Sequence, residues 1–246
     1  MNAATLPLPP SLDRLLQAGE VALFLDFDGT LVAIAGEPDG IAVPDRLAAG
    51  LTVLGQRLGG RLALVSGRSL DNLDTHLGPI AIARAGSHGA DRRRADGSQL
   101  GEPPLPIDDD TMQALDRLAR HHDALLERKA HGAAIHYRAV PDAAPAIRQE
   151  AEMLAAHAGL AMKHGKCVVE LVRPGASKAG AVGAFMEHTP FAGAMPIFIG
   201  DDLTDEDGFA AANRQGGFGI AVGTRPSQHA RYRLDTVAQV HEWLSL

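Results

Sequence analysis

Short apolar runs recur at positions 21–25, 62–65, 80–83, 196–199 and 219–222, each ending at a glycine, serine or charged residue. Four or five apolar residues without polar alternation are what a strand covered on both faces requires, so these runs predict buried strands of a parallel sheet. Between and after them the pattern turns amphipathic. Segments 43–58 and 69–77 in the first half, and 178–187, 205–215 and 228–233 in the second, predict helices. Alternation of this kind predicts a doubly wound, Rossmann-like α/β domain with a parallel sheet.

The middle of the chain breaks the rhythm. After the proline-rich stretch 102–106, Asp108, Asp109 and Asp110 open a helix that carries Met112, Leu115 and Leu118 on one face. Strand-like runs at 125–129 and 133–138, a second helix over 143–158, and strands at 161–164 and 167–173 follow. Antiparallel strands with helices make an α+β module, and Pro174-Gly175 marks the return to the first domain. The expected division is a core of 1–103 and 174–246 with an inserted cap of 104–173, hinged near 102–106 and 173–175.

Composition narrows the classes. With 246 residues, of which 46% are apolar, the chain can bury a sizeable core, and a formal net charge of -7 argues against a nucleic-acid partner. The tight basic run Arg92, Arg93, Arg94 sits beside the turn pair Asp96-Gly97 and reads as a hairpin arm. The single cysteine, Cys167, excludes an internal disulfide, and no Cys/His spacing suits zinc. Residues 1–10 lack a basic residue and a continuous apolar stretch, and nothing approaches the roughly 18 apolar residues of a membrane span. A cytoplasmic protein without membrane contact is expected.

The strongest chemical signal is Phe24-Leu25-Asp26-Phe27-Asp28-Gly29-Thr30-Leu31, an apolar strand that ends in two carboxylates. Residues two apart in extended chain share a face, so Asp26 and Asp28 meet beyond the carboxyl end of a strand, where open α/β sheets bind ligands. A second acidic cluster, Gly200-Asp201-Asp202-Leu203-Thr204-Asp205-Glu206-Asp207, follows another apolar strand. If both strands share a sheet, the clusters converge into an oxygen-rich shell of the kind Mg²⁺ prefers. Glu206 and Asp207 read instead as an acidic helix start, Thr204 and Asp207 having capping-box spacing. Ser66, in Leu64-Val65-Ser66-Gly67-Arg68, and Lys178, in Gly175-Ala176-Ser177-Lys178-Ala179-Gly180, are candidates for holding a phosphate.

In this order, Asp-x-Asp-Gly-Thr, Ser, Lys and Gly-Asp-Asp-x-x-x-Asp resemble the haloacid dehalogenase superfamily of phosphohydrolases. The resemblance implies Asp26 as nucleophile, Asp28 as general acid and base, Ser66, Gly67, Arg68 and Lys178 around the phosphate, and Mg²⁺ held by Asp26, the Asp28 carbonyl and Asp201. Asp202 and Asp205 would complete or support the metal shell. The inserted segment tightens the likeness: Glu127-Arg128-Lys129, His136-Tyr137-Arg138 and Gly165-Lys166-Cys167-Val168-Val169-Glu170, with Ser87-His88-Gly89 ahead of them, look like the cap of the trehalose-6-phosphate phosphatase family. By that likeness Glu127, Lys129, Arg138, Lys166 and Glu170 contact a disaccharide and His88 lies near the cap entrance. Ser87 and Ser177 depart from the residues the family often has there. The implied reaction hydrolyses trehalose 6-phosphate to trehalose and phosphate, as the last step of trehalose biosynthesis, by a monomer functionally linked to a trehalose-6-phosphate synthase. Sucrose 6-phosphate or a mannosyl phosphate as substrate, a phosphomutase, and a silent sugar-phosphate-binding regulatory domain are the alternatives. The pair His121 and His122 reads as helix surface, and Trp243 as an anchor for the tail.

Overall fold

The computed structural model describes residues 6–34, 40–103, 105–129, 132–165, 167–174 and 176–246, so Lys166 and Gly175 lie outside the described residues. The chain forms two compact units, Met1–Pro103 with Ser177–Leu246, and Pro104–Ala176.

The first unit begins with α1 (Leu12–Ala18), β1 (Val21–Leu25), α2 (Leu47–Arg57), β2 (Leu62–Val65), α3 (Leu70–Leu77), β3 (Ala83–Gly86) and β4 (Asp91–Arg93). The second unit supplies α4 (Asp109–His121), β5 (Leu125–Lys129), β6 (Gly132–His136), α5 (Ala144–Ala158), β7 (Ala161–Gly165) and β8 (Val168–Val172). The chain then returns as α6 (Lys178–Met186), β9 (Met195–Gly200), α7 (Asp205–Arg214), β10 (Phe218–Val222), β11 (Ala230–Leu234) and α8 (Val237–Leu244).

One seven-stranded sheet, β11-β10-β9-β1-β2-β3-β4, organises the first unit and is parallel except for the antiparallel edge strand β4. Alternate residues of the central strand go to opposite faces. Val21, Leu23 and Leu25 pack with leucines of α2 and α3 and with Val240 and Leu244 of α8, whereas Ala22 and Phe24 pack with Phe185 of α6 and with Phe209 and Ala212 of α7. Cover on both faces is why β1 carries no polar residue, as a doubly wound sheet requires.

Two expected elements of the first unit differ. The run at 80–83 is not itself the strand: Ile80 and Ile82 are buried in the core as the approach, and pairing with β2 begins at Ala83. An apolar approach to a strand has the same composition as the strand. Segment 228–233 was expected as a helix and contains instead the start of β11, paired in parallel with β10. Its Ala230, Tyr232 and Leu234 alternate with Arg231 and Arg233, and the Tyr232 ring lies edge-on to Phe218 with centroids 4.9 Å apart. Helices α1 and α8 went unread; Ser11 and Thr236 cap them, accepting the N–H of Arg14 at 3.4 Å and of Gln239 at 3.2 Å. Trp243 does anchor the tail, its indole N–H donating to the Pro10 carbonyl at 2.8 Å.

The second unit is an antiparallel sheet, β5-β6-β8-β7, with α4 and α5 on one face. Ala133, Ile135, Val169 and Leu171 pack with Leu115, Leu118, Ile147 and Ala151 of the two helices. The registered row Glu127, Ala134, Glu170 and Lys163 runs across the other face. The expected strand over 133–138 ends at His136; Tyr137 is buried and takes hydrogen bonds from Arg148 Nε at 3.0 Å and NH2 at 2.8 Å. His122 is not plain surface, because its Nε2 lies 3.0 Å from Glu150 Oε1 and ties α4 to α5. No helix among the described residues is long and apolar enough to cross a membrane.

Candidate active site

The acidic clusters meet because β1 and β9 are neighbours with Leu25 opposite Ile199, and the Asp26 N–H donates to the Ile199 carbonyl at 2.9 Å. After Asp26 the chain turns sharply: the Gly29 N–H donates to the Val32 carbonyl at 2.7 Å, and the Leu31 N–H to that of Phe27 at 2.9 Å. Gly29 has φ +78°, and a Cβ there would fall inside the Asp201 carboxylate. Glycine is therefore needed twice over, for its backbone conformation and for the close approach of the second acidic loop.

Lys178, the first residue of α6, is buried and donates from Nζ to Asp26 Oδ1 at 2.7 Å and to Asp205 Oδ1 at 2.5 Å. Ser177 caps the same helix by accepting the Gly180 N–H at 3.0 Å, so its departure from the usual family residue keeps a hydrogen-bonding cap. Asp205 begins α7, is fully buried, and accepts the Asp202 N–H on Oδ2 at 2.8 Å. Among the described residues, Asp26, Asp201 and Asp205 each offer an oxygen within 4.8 Å of the others. Asp202 stands apart: it is exposed and its carboxylate turns to the Leu203 N–H. The Asp28 carboxylate points to Arg68 rather than into this cluster.

Three carboxylates around one ammonium leave negative charge in excess. Burial, then Asp205 and Asp202, push Asp201 up to about 7. Burial raises Asp26 well above the ordinary carboxylate range, with Lys178 opposing and Asp205 and Asp201 adding to the rise. Burial works against the charge on Lys178, but Asp205 and Asp26 outweigh it and hold the ammonium above its ordinary value. An all-oxygen donor set short of positive charge fits a hard divalent cation such as Mg²⁺.

At the end of β2, buried Ser66 accepts the Arg68 N–H on Oγ at 3.1 Å, which leaves its own hydroxyl proton to donate. Its carbonyl accepts the His88 N–H at 2.9 Å, and the Arg68 carbonyl that of Ser87 at 2.7 Å. His88 lies over Gly67, where a Cβ would come within 2.8 Å of the imidazole. Ser87 and His88 take φ of +50° and +58°, a left-handed pair without glycine that costs on the order of 1–3 kcal/mol each. These loops gather at the carboxyl ends of β1, β2, β3 and β9.

Arg225 and Glu206 were not singled out for this site. Arg225 donates from Nε to the Asp201 carbonyl at 3.2 Å and from NH2 to the Asp202 carbonyl at 2.8 Å and Glu206 Oε1 at 2.8 Å. Glu206 Oε2 accepts the Gln228 N–H at 3.1 Å and the His229 N–H at 2.9 Å. Burial opposes ionisation of Glu206, but these partners hold its pKa below the ordinary value. Thr204 makes no side-chain cap, so the Thr204–Asp207 capping box does not form; Glu206 and Asp207 do lie in the acidic first turn of α7, and Glu206 also braces the loop. No local pattern marks Arg225, whose partners lie some twenty residues earlier in the chain.

In the second unit Glu127, Lys129 and Glu170 share the helix-free sheet face with His136. Lys129 pairs with Glu170, and His136 Nε2 lies 2.8 Å from Glu127 Oε2. That bond to His136 first, and Lys129 after it, hold Glu127 below its ordinary pKa against burial. Arg138 is exposed, two residues beyond β6.

Residues 24–238 match the model of the trehalose-phosphatase family. The chain belongs to that family. It is 40% identical over 232 residues to the trehalose-6-phosphate phosphatase of Escherichia coli, spanning 93% of this chain and 87% of that protein. The C-terminal domain of the Candida albicans trehalose-6-phosphate phosphatase superposes with a TM-score of 0.78 at 23% identity, over 100% of this chain and 98% of that one. A C. albicans trehalose synthase regulatory protein C-terminal domain also shares the fold, with TM-score 0.69 and 11% identity over 98% and 99% of the two chains. The fold thus recurs in a regulatory protein's domain, and function has to be argued from the site.

Proposed function

We propose that the chain hydrolyses trehalose 6-phosphate to trehalose and inorganic phosphate through a covalent phosphoryl group on Asp26. The observation that carries this reading is the buried Asp26–Lys178–Asp205 array beside Asp201, assembled at the carboxyl ends of the parallel strands. An Asp26 oxygen attacks phosphorus as the bond from phosphorus to the sugar oxygen breaks, and Asp28 gives its proton to that oxygen. Asp28 then takes a proton from water, whose oxygen attacks phosphorus and returns Asp26 as a free carboxylate. Ser66, the Gly67 backbone and Lys178 hold the phosphoryl oxygens. Asp26, Asp201 and Asp205, with the Asp28 carbonyl, would hold Mg²⁺, which supplies positive charge to the phosphoryl group. Asp202, with its carboxylate on the Leu203 N–H, supports the loop.

The sheet face carrying Glu127, Lys129 and Glu170, together with Arg138 and Lys166, supplies donors and acceptors for the sugar hydroxyls, making Pro104–Ala176 the specificity unit. His88 belongs to the same substrate set. The family relationship supports trehalose 6-phosphate as substrate and a functional link to the synthase that makes it. The test is phosphate release from trehalose 6-phosphate, sucrose 6-phosphate and glucose 6-phosphate, with Mg²⁺ or EDTA, by the wild type and Asp26→Asn. Release from trehalose 6-phosphate that needs both Mg²⁺ and Asp26 is expected. Preference for another sugar phosphate overturns the specificity assignment, and a folded, Mg²⁺-binding but inactive chain overturns the enzymatic one.

A further inference from the structure

Arg68 follows the Ser66-Gly67 turn, where its sequence position suggested a substrate contact. Its side chain goes elsewhere. Nε donates to Asp28 Oδ2 at 2.6 Å and NH2 to Asp28 Oδ1 at 2.7 Å, a bidentate fork, while NH1 donates to Asn72 Oδ1 at 2.6 Å and lies 3.5 Å from His76 Nε2. The guanidinium also sits over the Phe27 ring, 5.8 Å from its centroid. The backbone is pinned as well, its N–H on Ser66 Oγ and its carbonyl on the Ser87 N–H. The Arg68 side chain is only 11% exposed, whereas that of Asp28 is 35% exposed. The fork therefore reaches a partly open carboxylate from a nearly buried position.

We infer that Arg68 is a positioning residue that sets the plane and direction of the Asp28 carboxylate, rather than a ligand for the substrate. The inference rests on the reading of Asp28 as the group that moves the proton. Asp28 leaves β1 on a turn, and its short side chain has two rotatable bonds. A planar fork that grips both oxygens fixes both rotations at once, and each carboxylate oxygen keeps a second lone pair for the reacting proton. Asn72 and His76 hold the far edge of the guanidinium and so keep the fork in place. A lysine ammonium, a point charge on a flexible stem, does not reproduce this geometry.

The test is a double-mutant cycle on trehalose 6-phosphate turnover with Arg68→Ala, Asp28→Ala and the double variant, alongside Arg68→Lys and Asn72→Ala. Misplacing a reacting group by about an ångström costs on the order of a hundredfold. Arg68→Ala should therefore lower kcat by roughly 10- to 100-fold with less than about a twofold change in KM. Arg68→Lys should recover little of that loss, and Asn72→Ala should show a smaller loss with the same split. In the Asp28→Ala background, Arg68→Ala should add less than about twofold. A raised KM with kcat retained, or an equal loss in that background, overturns the inference and returns Arg68 to the substrate. Should Arg68→Ala fail to fold, the kcat and KM of Arg68→Lys and Asn72→Ala decide by the same split. If Asp28→Ala alone leaves turnover intact, the proton-transfer reading fails first, and the cycle shows that separately from any effect at Arg68.

Discussion

Gly29 shows how little room the acidic centre leaves at the scale of one residue. Gly29→Ala adds a methyl group at φ +78° and into the Asp201 carboxylate, so the two acidic loops have to part. Turnover should fall by about 100-fold or more, with Mg²⁺ binding by calorimetry weakened in parallel. Lys178 and Asp201 should respond in opposite senses. Lys178→Met leaves Asp26 and Asp205 buried without their cation and should cost about 3–5 kcal/mol in urea unfolding of the metal-free protein. Asp201→Asn removes a carboxylate that burial and Asp205 disfavour, so the metal-free Tm should rise by a few degrees while the Mg²⁺-induced rise disappears. Asp26, Asp28, Ser66 and Lys178 were legible because each is punctuation after an apolar run or at a helix start. Their pairings were not, because Arg68 reaches back 40 residues to Asp28 and Lys178 reaches back 152 to Asp26.

Elements decide how the acidic loop is held. Arg225 lies between β10 and β11 and grips two carbonyls of the loop between β9 and α7, with Glu206 as its counter-ion. Arg225→Ala should weaken Mg²⁺ binding by roughly tenfold in calorimetry, through a loosened loop and without loss of any carboxylate. In the antiparallel sheet, Glu127 on β5 bonds diagonally to His136 on β6, with Lys129 and Glu170 on the same face. Its pKa in the folded chain lies below the ordinary 4.5, so the pairing contributes stability above about that pH and loses it as pH falls through the lowered value. Between pH 6 and pH 3 the wild type should lose urea stability more steeply than Glu127→Gln, and equal slopes would remove the pairing from the account. The misread segment 228–233 belongs to this scale too. Alanine, tyrosine and leucine at every second position suit a half-buried edge strand, and only the neighbouring β10 shows which period applies.

For the molecule as a whole, the two ends of the first unit close on each other through Trp243 and the Pro10 carbonyl. Trp243→Phe removes the N–H donor and keeps an aromatic ring. It should cost about 1 kcal/mol and lower Tm by about 2–4 °C, with the Mg²⁺-induced shift unchanged.

By itself the sequence determined the class of the fold, the strand ends that carry the acidic motifs, and the phosphohydrolase family. Those depend on order over a few residues: uniform apolar runs demand two-sided burial, and a carboxylate placed directly after one must emerge at the sheet's edge. The tertiary structure decided which carboxylates meet. Lys178 lies between Asp26 and Asp205, Arg68 turns to Asp28, and Arg225 braces the Asp201 loop because β1 and β9 are adjacent, α6 packs with α7, and the β2 turn folds toward Asp28. Such pairings depend on strand order and helix packing, which no local pattern of apolar and polar residues encodes.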